Sequence, residues 1–315
     1  MNQSINDLIT HMEIVIKGKK NVLQKLMVAL LSEGHVLIED VPGVGKTQMV
    51  ATLARTVNGI FRRIQFTPDV MPSDITGFSM FNQATRTFEY KQGVAMCNFL
   101  LADEINRASP RTQSSLLEIM EESQVTVDGV TYALPNPFMV LATQNPIENY
   151  GTYHLPEAQM DRFFLKLSIG YPTKQDELTI ADSYEIESPL DTLTPLVDIQ
   201  QVVQWQNYVK QIRIDNSLKA YIINIVHSTR NHPDIALGVS PRGTLNLIKA
   251  AKALAFIKGR EYVLPDDIQQ MAIPILAHRI IVGASAKNKD ISQEEMIASI
   301  VKNIKVPVDM QVEDL

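Results

Sequence analysis

Apolar positions in the first half of the chain alternate between helical spacing and short continuous runs. Residues 20–32, KNVLQKLMVALLS, place apolar side chains at helical spacing and predict an amphipathic helix ending at Gly34. Short apolar runs follow at 36–38 (VLI), 61–66 (FRRIQF), 98–102 (NFLLA), 138–143 (FMVLAT) and 163–169 (FFLKLSI). Each has strand length, and most lead through a polar or glycine-rich turn into a helical pattern. Such alternation predicts a parallel sheet covered by helices on both faces. Two stretches break the rhythm. Residues 78–93 and 124–134 read as β-hairpins, the second turning at Asp128-Gly129. In the first, Phe81, Phe88 and Tyr90 alternate with polar residues. They either pack on the hairpin's own core or face outward.

After Pro172 the character changes. Residues 188–195 (SPLDTLTP) read as a linker, and helical patterns follow at 199–211, 216–230, 242–258, 265–278 and 292–302. The expected organisation is an α/β nucleotide-binding core over residues 1–190 and a small helical domain over 191–315.

A chain of 315 residues is long enough for one large and one small domain. Hydrophobic residues at 45% and charged residues at 20% give an ordinary globular balance, which favours neither disorder nor a coiled coil. A net charge of −6 and a pI near 5.6 argue against a dedicated nucleic-acid binder. The single cysteine, Cys97, permits no intramolecular disulfide and fits a reducing compartment. Beside an apolar strand it reads as a small buried hydrophobe. No signal-peptide core or membrane-length apolar run is visible, so the expectation is a soluble cytoplasmic protein.

Two motifs carry chemistry. LIEDVPGVGKT at 37–47 ends in Gly-Lys-Thr between an apolar strand and a helical pattern, the context a phosphate loop requires. Pro42, Gly43, Val44, Gly45, Lys46, Thr47 and Gln48 are its candidate nucleotide-binding residues. Backbone N–H groups there would cradle phosphates, Lys46 would meet the β- and γ-phosphates, and Thr47 would ligate Mg²⁺. Asp40 stands where the usual pattern has its first glycine, which is tolerable if position 40 keeps ordinary dihedrals. The competing reading is a glycine-rich turn that merely starts a helix. NFLLADE at 98–104 is an apolar strand ending in two carboxylates. Asp103 would hold the metal and Glu104 would act as general base on the attacking water. Taken alone, the pair could equally cap the following helix.

These motifs and three others, VPGVGKT (41–47), LLADEINRASPRTQSSLLEIMEE (100–122), LATQNP (141–146), LPEAQMDRF (155–163) and GVSPRGTLNL (238–247), resemble the MoxR family of AAA+ ATPases over nearly the whole chain. The resemblance implies an AAA+ phosphate-loop core with two hairpin inserts plus a small all-α lid, ATP and Mg²⁺ as cofactors, and assembly into a ring, a hexamer. It also implies roles for Asn145 as first sensor, for Arg162 as an arginine finger reaching a neighbouring subunit, and for Arg242 as a second sensor closing over the phosphates of its own chain. Arg107 and Arg111 rival Arg162. The blander alternatives are a turn-forming asparagine and surface arginines paired with acids. Val15, Ile16 and Gly18 are candidates for the adenine site, with core packing as the alternative.

The family resemblance further implies chaperone-like remodelling of a protein client, often with a von Willebrand factor A domain partner, while the lack of a membrane-length apolar run leads to the expectation of no membrane partner. A nucleic-acid motor and a nucleotide-gated binding module are the competing classes. The acidic pI stands against the first and Glu104 against the second. His232-Pro233-Asp234 reads as a loop, Asn288-Lys289-Asp290 lacks the spacing of a guanine-reading motif, and the histidines show no metal-ligand spacing. Tyr184, Trp205 and Tyr208 read as core or linker packing.

Overall fold

The computed structural model describes residues 2–145, 153–185, 187–287 and 289–307. Pro146 of the LATQNP motif and Asn288 lie outside the described residues.

Two helices come first, α1 (Asn2–Met12) and α2 (Lys20–Leu31). The core then runs β1 (Val36–Glu39), α3 (Lys46–Thr56), β2 (Phe61–Gln65), α4 (Pro72–Thr76), β3 (Gly77–Asn82), β4 (Thr87–Gln92), β5 (Phe99–Asp103), α5 (Pro110–Glu122), β6 (Gln124–Val127), β7 (Val130–Ala133), β8 (Met139–Gln144), α6 (Glu157–Met160), β9 (Leu165–Leu167) and α7 (Lys174–Ser183). The remainder is α8 (Pro189–Thr192), α9 (Ile199–Gln211), α10 (Asn216–Arg230), β10 (Ile235–Leu237), α11 (Pro241–Ile257), α12 (Pro265–Leu276), β11 (Ile281–Val282), α13 (Ala284–Lys287) and α14 (Gln293–Asn303).

The expected parallel sheet is present, with strand order β2-β5-β8-β1-β9. Its strands read as continuous apolar runs because both faces are covered. Val36 and Ile38 of β1, Phe99 and Leu101 of β5, and Met139 and Leu141 of β8 point into one core with α2, α3 and the later helices. The residues between them, Leu37, Leu100 and Val140, point into the other, against α5. Both hairpins form as antiparallel pairs, β3 with β4 and β6 with β7. Helix starts follow the local chemistry. The Ser109 hydroxyl accepts from the Thr112 N–H and Pro110 opens α5, while Ser292 and Glu295 form a capping box on α14.

Several details depart from the sequence reading. Helices α1 and α7 had no assigned pattern. The run 163–169 contributes only Leu165–Leu167 to the sheet. The linker 188–195 is fastened down, because Arg55 donates to the Leu193 and Asp191 carbonyls at 2.6 and 2.7 Å. The lid is not wholly helical, since β10 and β11 form a short antiparallel pair. Trp205 is core, as expected, and Cys97 is buried with its thiol pushed up to about 12 by burial, so it is inert as a nucleophile at neutral pH. Hairpin aromatics divide. Tyr90 stacks on Tyr132 with centroids 4.1 Å apart, while Phe81 and Phe88 meet edge-on at the exposed tip. Among the described residues no helix is long and apolar enough to cross a membrane.

Candidate nucleotide site

In a parallel sheet the loops after the strands gather at one end, and here those loops carry the predicted motifs. Pro42, Gly43, Gly45, Lys46, Thr47, Gln48, Asp103, Glu104 and Asn145 line a single cavity of about 420 Å³ at the C-terminal ends of β1, β5 and β8. Gly43 and Gly45 both have positive φ, at +85° and +88°, and a Cβ at either would meet only open space. The loop is therefore glycine-bearing for conformation and not for lack of room, and its backbone is open to an approaching group. Lys46 begins α3, and its Nζ donates to the carbonyls of Asp40 (2.9 Å) and Val41 (3.3 Å) across the loop.

Asp40 is more than a tolerated departure. It keeps ordinary dihedrals, and its buried carboxylate accepts from the N–H groups of Val41, Ile169 and Gly170 and from the Ser168 hydroxyl. It ties the phosphate loop to the segment leaving β9.

The two acids at the end of β5 are held from both neighbouring strands. Thr143 on β8 donates to Asp103 Oδ1 at 2.6 Å and accepts from the Glu104 N–H at 2.9 Å. From β2, Arg63 donates to Asp103 Oδ2 at 2.7 Å and Gln65 donates to Glu104 Oε2 at 2.8 Å. Glu104 itself sits in the left-handed region at φ 57°, an uncommon conformation for a residue with a side chain, and one that clusters at functional sites. Arg107 lies 3.2 Å from its carboxylate. Thr143 lies inside LATQNP but has no role implied there, and neither Arg63 nor Gln65 belongs to a motif. Only the alternation within FRRIQF, which puts positions 63 and 65 on one face, hinted at the last two.

Beside the phosphate cavity, and sharing Gly43, Gly45 and Gln48 with it, is a second pocket of about 200 Å³. It is lined by Val15, Ile16, Val44, Ile169, Ile180 and Tyr184 among others. Val15 and Ile16 thus face a pocket that could hold a planar base, whereas Gly18 packs against Asp176. Tyr184, read from sequence as packing, is instead a half-exposed wall of this pocket.

The donor set fits a nucleoside triphosphate with a divalent cation. A cation, a helix N-terminus and an open glycine loop face one cavity, and an apolar slot adjoins it. Gln48 Oε1, at the junction of the two pockets, is buried without a hydrogen-bond partner. No group of three or more His, Cys, Asp and Glu side chains able to hold a metal exists among the described residues. Thr47 and Asp103 line the cavity together, a hydroxyl and a carboxylate of the kind that hold a hard cation whose shell substrate oxygens and water complete.

The remaining predicted arginines lie elsewhere. Arg162 precedes β9 and so sits at the N-terminal ends of the strands, where the next residue but one, Phe164, donates from its N–H to the His35 carbonyl. Arg162 and Arg242 converge on one carboxylate there, Glu121, at 3.3 and 2.6 Å. Placing Arg242 over the phosphates of its own chain is therefore corrected. The start of α11 is drawn to the opposite end of the sheet, with Ser240 Oγ bonded to Asp161 Oδ2 at 2.8 Å. The rivals separate as well. Arg107 touches Glu104 of its own site, and Arg111 is exposed in the first turn of α5.

Known proteins share this fold. The model of the ATPase family associated with various cellular activities (AAA) matches residues 35–165, and the AAA lid domain model matches 227–300. The chain is 50% identical to the uncharacterized protein YeaC of Bacillus subtilis over 95% of this chain and 94% of that one. It is 39% identical to chaperone MoxR1 of Mycobacterium tuberculosis over 93% and 80% of the two chains. A crystal structure from Cytophaga hutchinsonii, described as a putative ATPase, superposes with a TM-score of 0.90 at 40% identity, covering 97% of this chain and 96% of the other.

Proposed function

The chain belongs to the MoxR family of AAA+ ATPases, and from that premise we propose that it hydrolyses Mg·ATP at sites shared between the subunits of a hexameric ring, to drive chaperone-like remodelling of protein complexes. One observation carries the reading. The two acids, the lysine and Asn145 face one cavity, while the charges that phosphoryl transfer still lacks stand at the far ends of the same strands.

The phosphates lie along Gly43 to Lys46, and Lys46 exchanges its backbone carbonyl partners for β- and γ-phosphate oxygens. The base enters the slot between Val15, Ile16 and Tyr184. Thr47 and Asp103 would hold Mg²⁺, whose charge would neutralise the phosphate oxygens. Glu104 accepts the proton of the attacking water as its oxygen bonds to the γ-phosphorus and the bond to the β–γ bridging oxygen breaks, giving ADP and phosphate. Asn145 orients that water or the γ-phosphate. Gln65 and Arg107 hold the Glu104 carboxylate, so its release is part of activation.

β1 alone, four residues at about 3.3 Å each, separates Arg162 from its own phosphate loop by about 13 Å before loops are counted. Arg162 therefore serves the neighbouring subunit, and Arg242 accompanies it. Residues 1–190 form the nucleotide-binding unit and 191–315 the lid. The name of one relative, chaperone MoxR1, supports a chaperone-like role. A von Willebrand factor A domain protein as partner, a protein client and a cytoplasmic setting complete the proposal.

Mixing tests the shared site. Arg162→Ala and Glu104→Gln proteins should each bind ATP and be inactive, and their mixture should recover turnover, because about a quarter of randomly formed interfaces pair an intact Glu104 with an intact Arg162. A co-assembled mixture as inactive as its parents would remove the shared site.

A further inference from the structure

Arg279 is a buried cation with no place in the chemistry above. It lies in the 3₁₀ turn Ala277–Arg279 after α12, and its side chain is 1% exposed. A buried guanidinium is costly unless nearly all its donors are used, and here they are. Nε donates to Asp161 Oδ1 at 2.9 Å, Nη1 to the Phe164 carbonyl at 3.2 Å, and Nη2 to the Asp161 carbonyl at 3.2 Å. Nη2 also donates to the Phe163 carbonyl and Nη1 to that of Ile275, and Nη1 lies 2.7 Å from His278 Nε2. Burial pulls the guanidinium down to about 10, with Asp161 opposing the pull and Arg242 adding to it, so it stays charged at neutral pH.

Three of those acceptors are the backbone carbonyls of residues 161, 163 and 164, which bracket Arg162. A lid residue thus sets the path of the core segment that presents Arg162. Other lid contacts converge on it. Asp161 is shared between Arg279 and Ser240, and Glu121 is shared between Arg162 and Arg242. Gly243 lets the first turn of α11 close on this point, since a Cβ there would lie 2.3 Å from Val239 Cγ1 and 3.1 Å from Arg279 Cδ.

We propose that Arg279 is a positioning residue for Arg162: it fixes segment 161–164 from the lid, so that the arginine offered to the neighbouring subunit is in place only while the lid is seated. The inference rests on the shared-site reading above. Lid movement would thereby change the neighbour's turnover and leave the chain's own ATP affinity untouched.

The experiment is a complementation test with Arg279→Lys, which keeps the charge and loses the planar fork, and with the milder Ser240→Ala. A small misplacement of a catalytic group costs roughly 10–100-fold in rate. Arg279→Lys should therefore lower kcat by that amount with KM for ATP unchanged. Mixed with Glu104→Gln it should recover activity, because the Glu104→Gln subunit brings a well-placed Arg162. Mixed with Arg162→Ala it should not, because neither parent presents a working arginine. Ser240→Ala should fall in the same group with a smaller loss, and it carries the test if Arg279→Lys does not fold. Recovery with Arg162→Ala, or a loss of ATP affinity alongside kcat, would overturn the proposal while the control pair of Arg162→Ala and Glu104→Gln still recovers. If that control stays inactive in co-assembled rings, the shared site is wrong and this inference falls with it.

Discussion

The two ends of the sheet's strands are built on opposite principles. At the C-terminal ends, groups that would bind and hydrolyse a nucleotide surround one cavity, and strand neighbours hold the acids in place: Thr143 from β8, Arg63 and Gln65 from β2. At the N-terminal ends two arginines share a glutamate and a third is buried close by, held by Asp161. One end carries the phosphate loop and the two acids with Lys46 among them, and the other carries three arginines away from that loop. The largest expected effect tests that separation. Arg162→Ala should reduce kcat by about 10³–10⁵-fold, the worth of an arginine finger, with ATP affinity unchanged in a direct binding measurement. A parallel loss of affinity would mean that Arg162 reaches its own nucleotide and that the two ends are not separate.

The next effect belongs to the cavity. Glu104→Gln should lose about 10²–10⁴-fold in turnover if the carboxylate is the general base, and should still bind Mg·ATP through Lys46, Thr47 and Asp103. Near-normal turnover would reassign the base. Lys46→Ala supplies the contrast, losing binding itself while the far-UV spectrum stays native.

The two ends also differ in how much of them the sequence disclosed. Phosphate loops and strand-end acids are local signals, so Lys46, Thr47, Asp103 and Glu104 were legible by spacing and Asn145 through the family resemblance, and the structure brings all five to one cavity. The parallel sheet and the hairpins were legible because burial on one or two faces leaves a local pattern. Arg63, Gln65 and Thr143 were not, since a strand residue's partner depends on sheet order, which puts β2 and β8 on either side of β5. Arg242 was misplaced for a related reason. Its motif indicates a helix start and says nothing of which end of the sheet that start reaches, and Asp161 decides it through Ser240. Tyr184 and Arg279 had no local signal at all. A tyrosine beside a linker and an arginine after a helix acquire roles only through contacts more than a hundred residues away.

Acid should separate the ends further. His35 is buried at the N-terminal ends, where Nδ1 accepts from the Val140 N–H at 2.9 Å, leaving Nε2 to donate to the Met120 carbonyl at 2.8 Å. Protonation would set a second N–H against that of Val140. Burial lowers the ring to about 4 from its ordinary 6.5, with the Met120 carbonyl opposing. The folded value lies below the unfolded one, so the stabilisation is complete above pH 6.5 and is lost as pH falls towards 4. The gap is worth about 3 kcal/mol. His278, buried beside Arg279 and also pushed down by burial and by that charge, adds in the same direction. Unfolding free energy measured in urea should fall over this window in the native protein and fall less in His35→Asn. Equal slopes would remove His35 as the acid-sensitive element of the arginine end.

The smallest effect comes from a part that serves neither end. Phe88 at the tip of the first hairpin is 74% exposed and touches Phe81 edge-on at 5.3 Å, whereas Tyr90 nearer the base stacks on Tyr132 and donates its hydroxyl to the Thr76 carbonyl at 2.5 Å. An exposed aromatic pair contributes little to folding, because water still reaches most of its surface, while removing Tyr90 takes away a ring packed between two hairpins and a hydrogen bond. Phe88→Ala should therefore change stability by no more than about 0.5 kcal/mol and leave kcat and KM for ATP as they were, whereas Tyr90→Ala should cost about 1–3 kcal/mol. Thermal unfolding of the two variants, followed beside their ATPase rates, checks the difference. If Phe88→Ala destabilises as much as Tyr90→Ala, the tip is packed on the core. If it lowers kcat at unchanged stability, the hairpin takes part in the chemistry, and the division of the ATPase between two strand ends is incomplete.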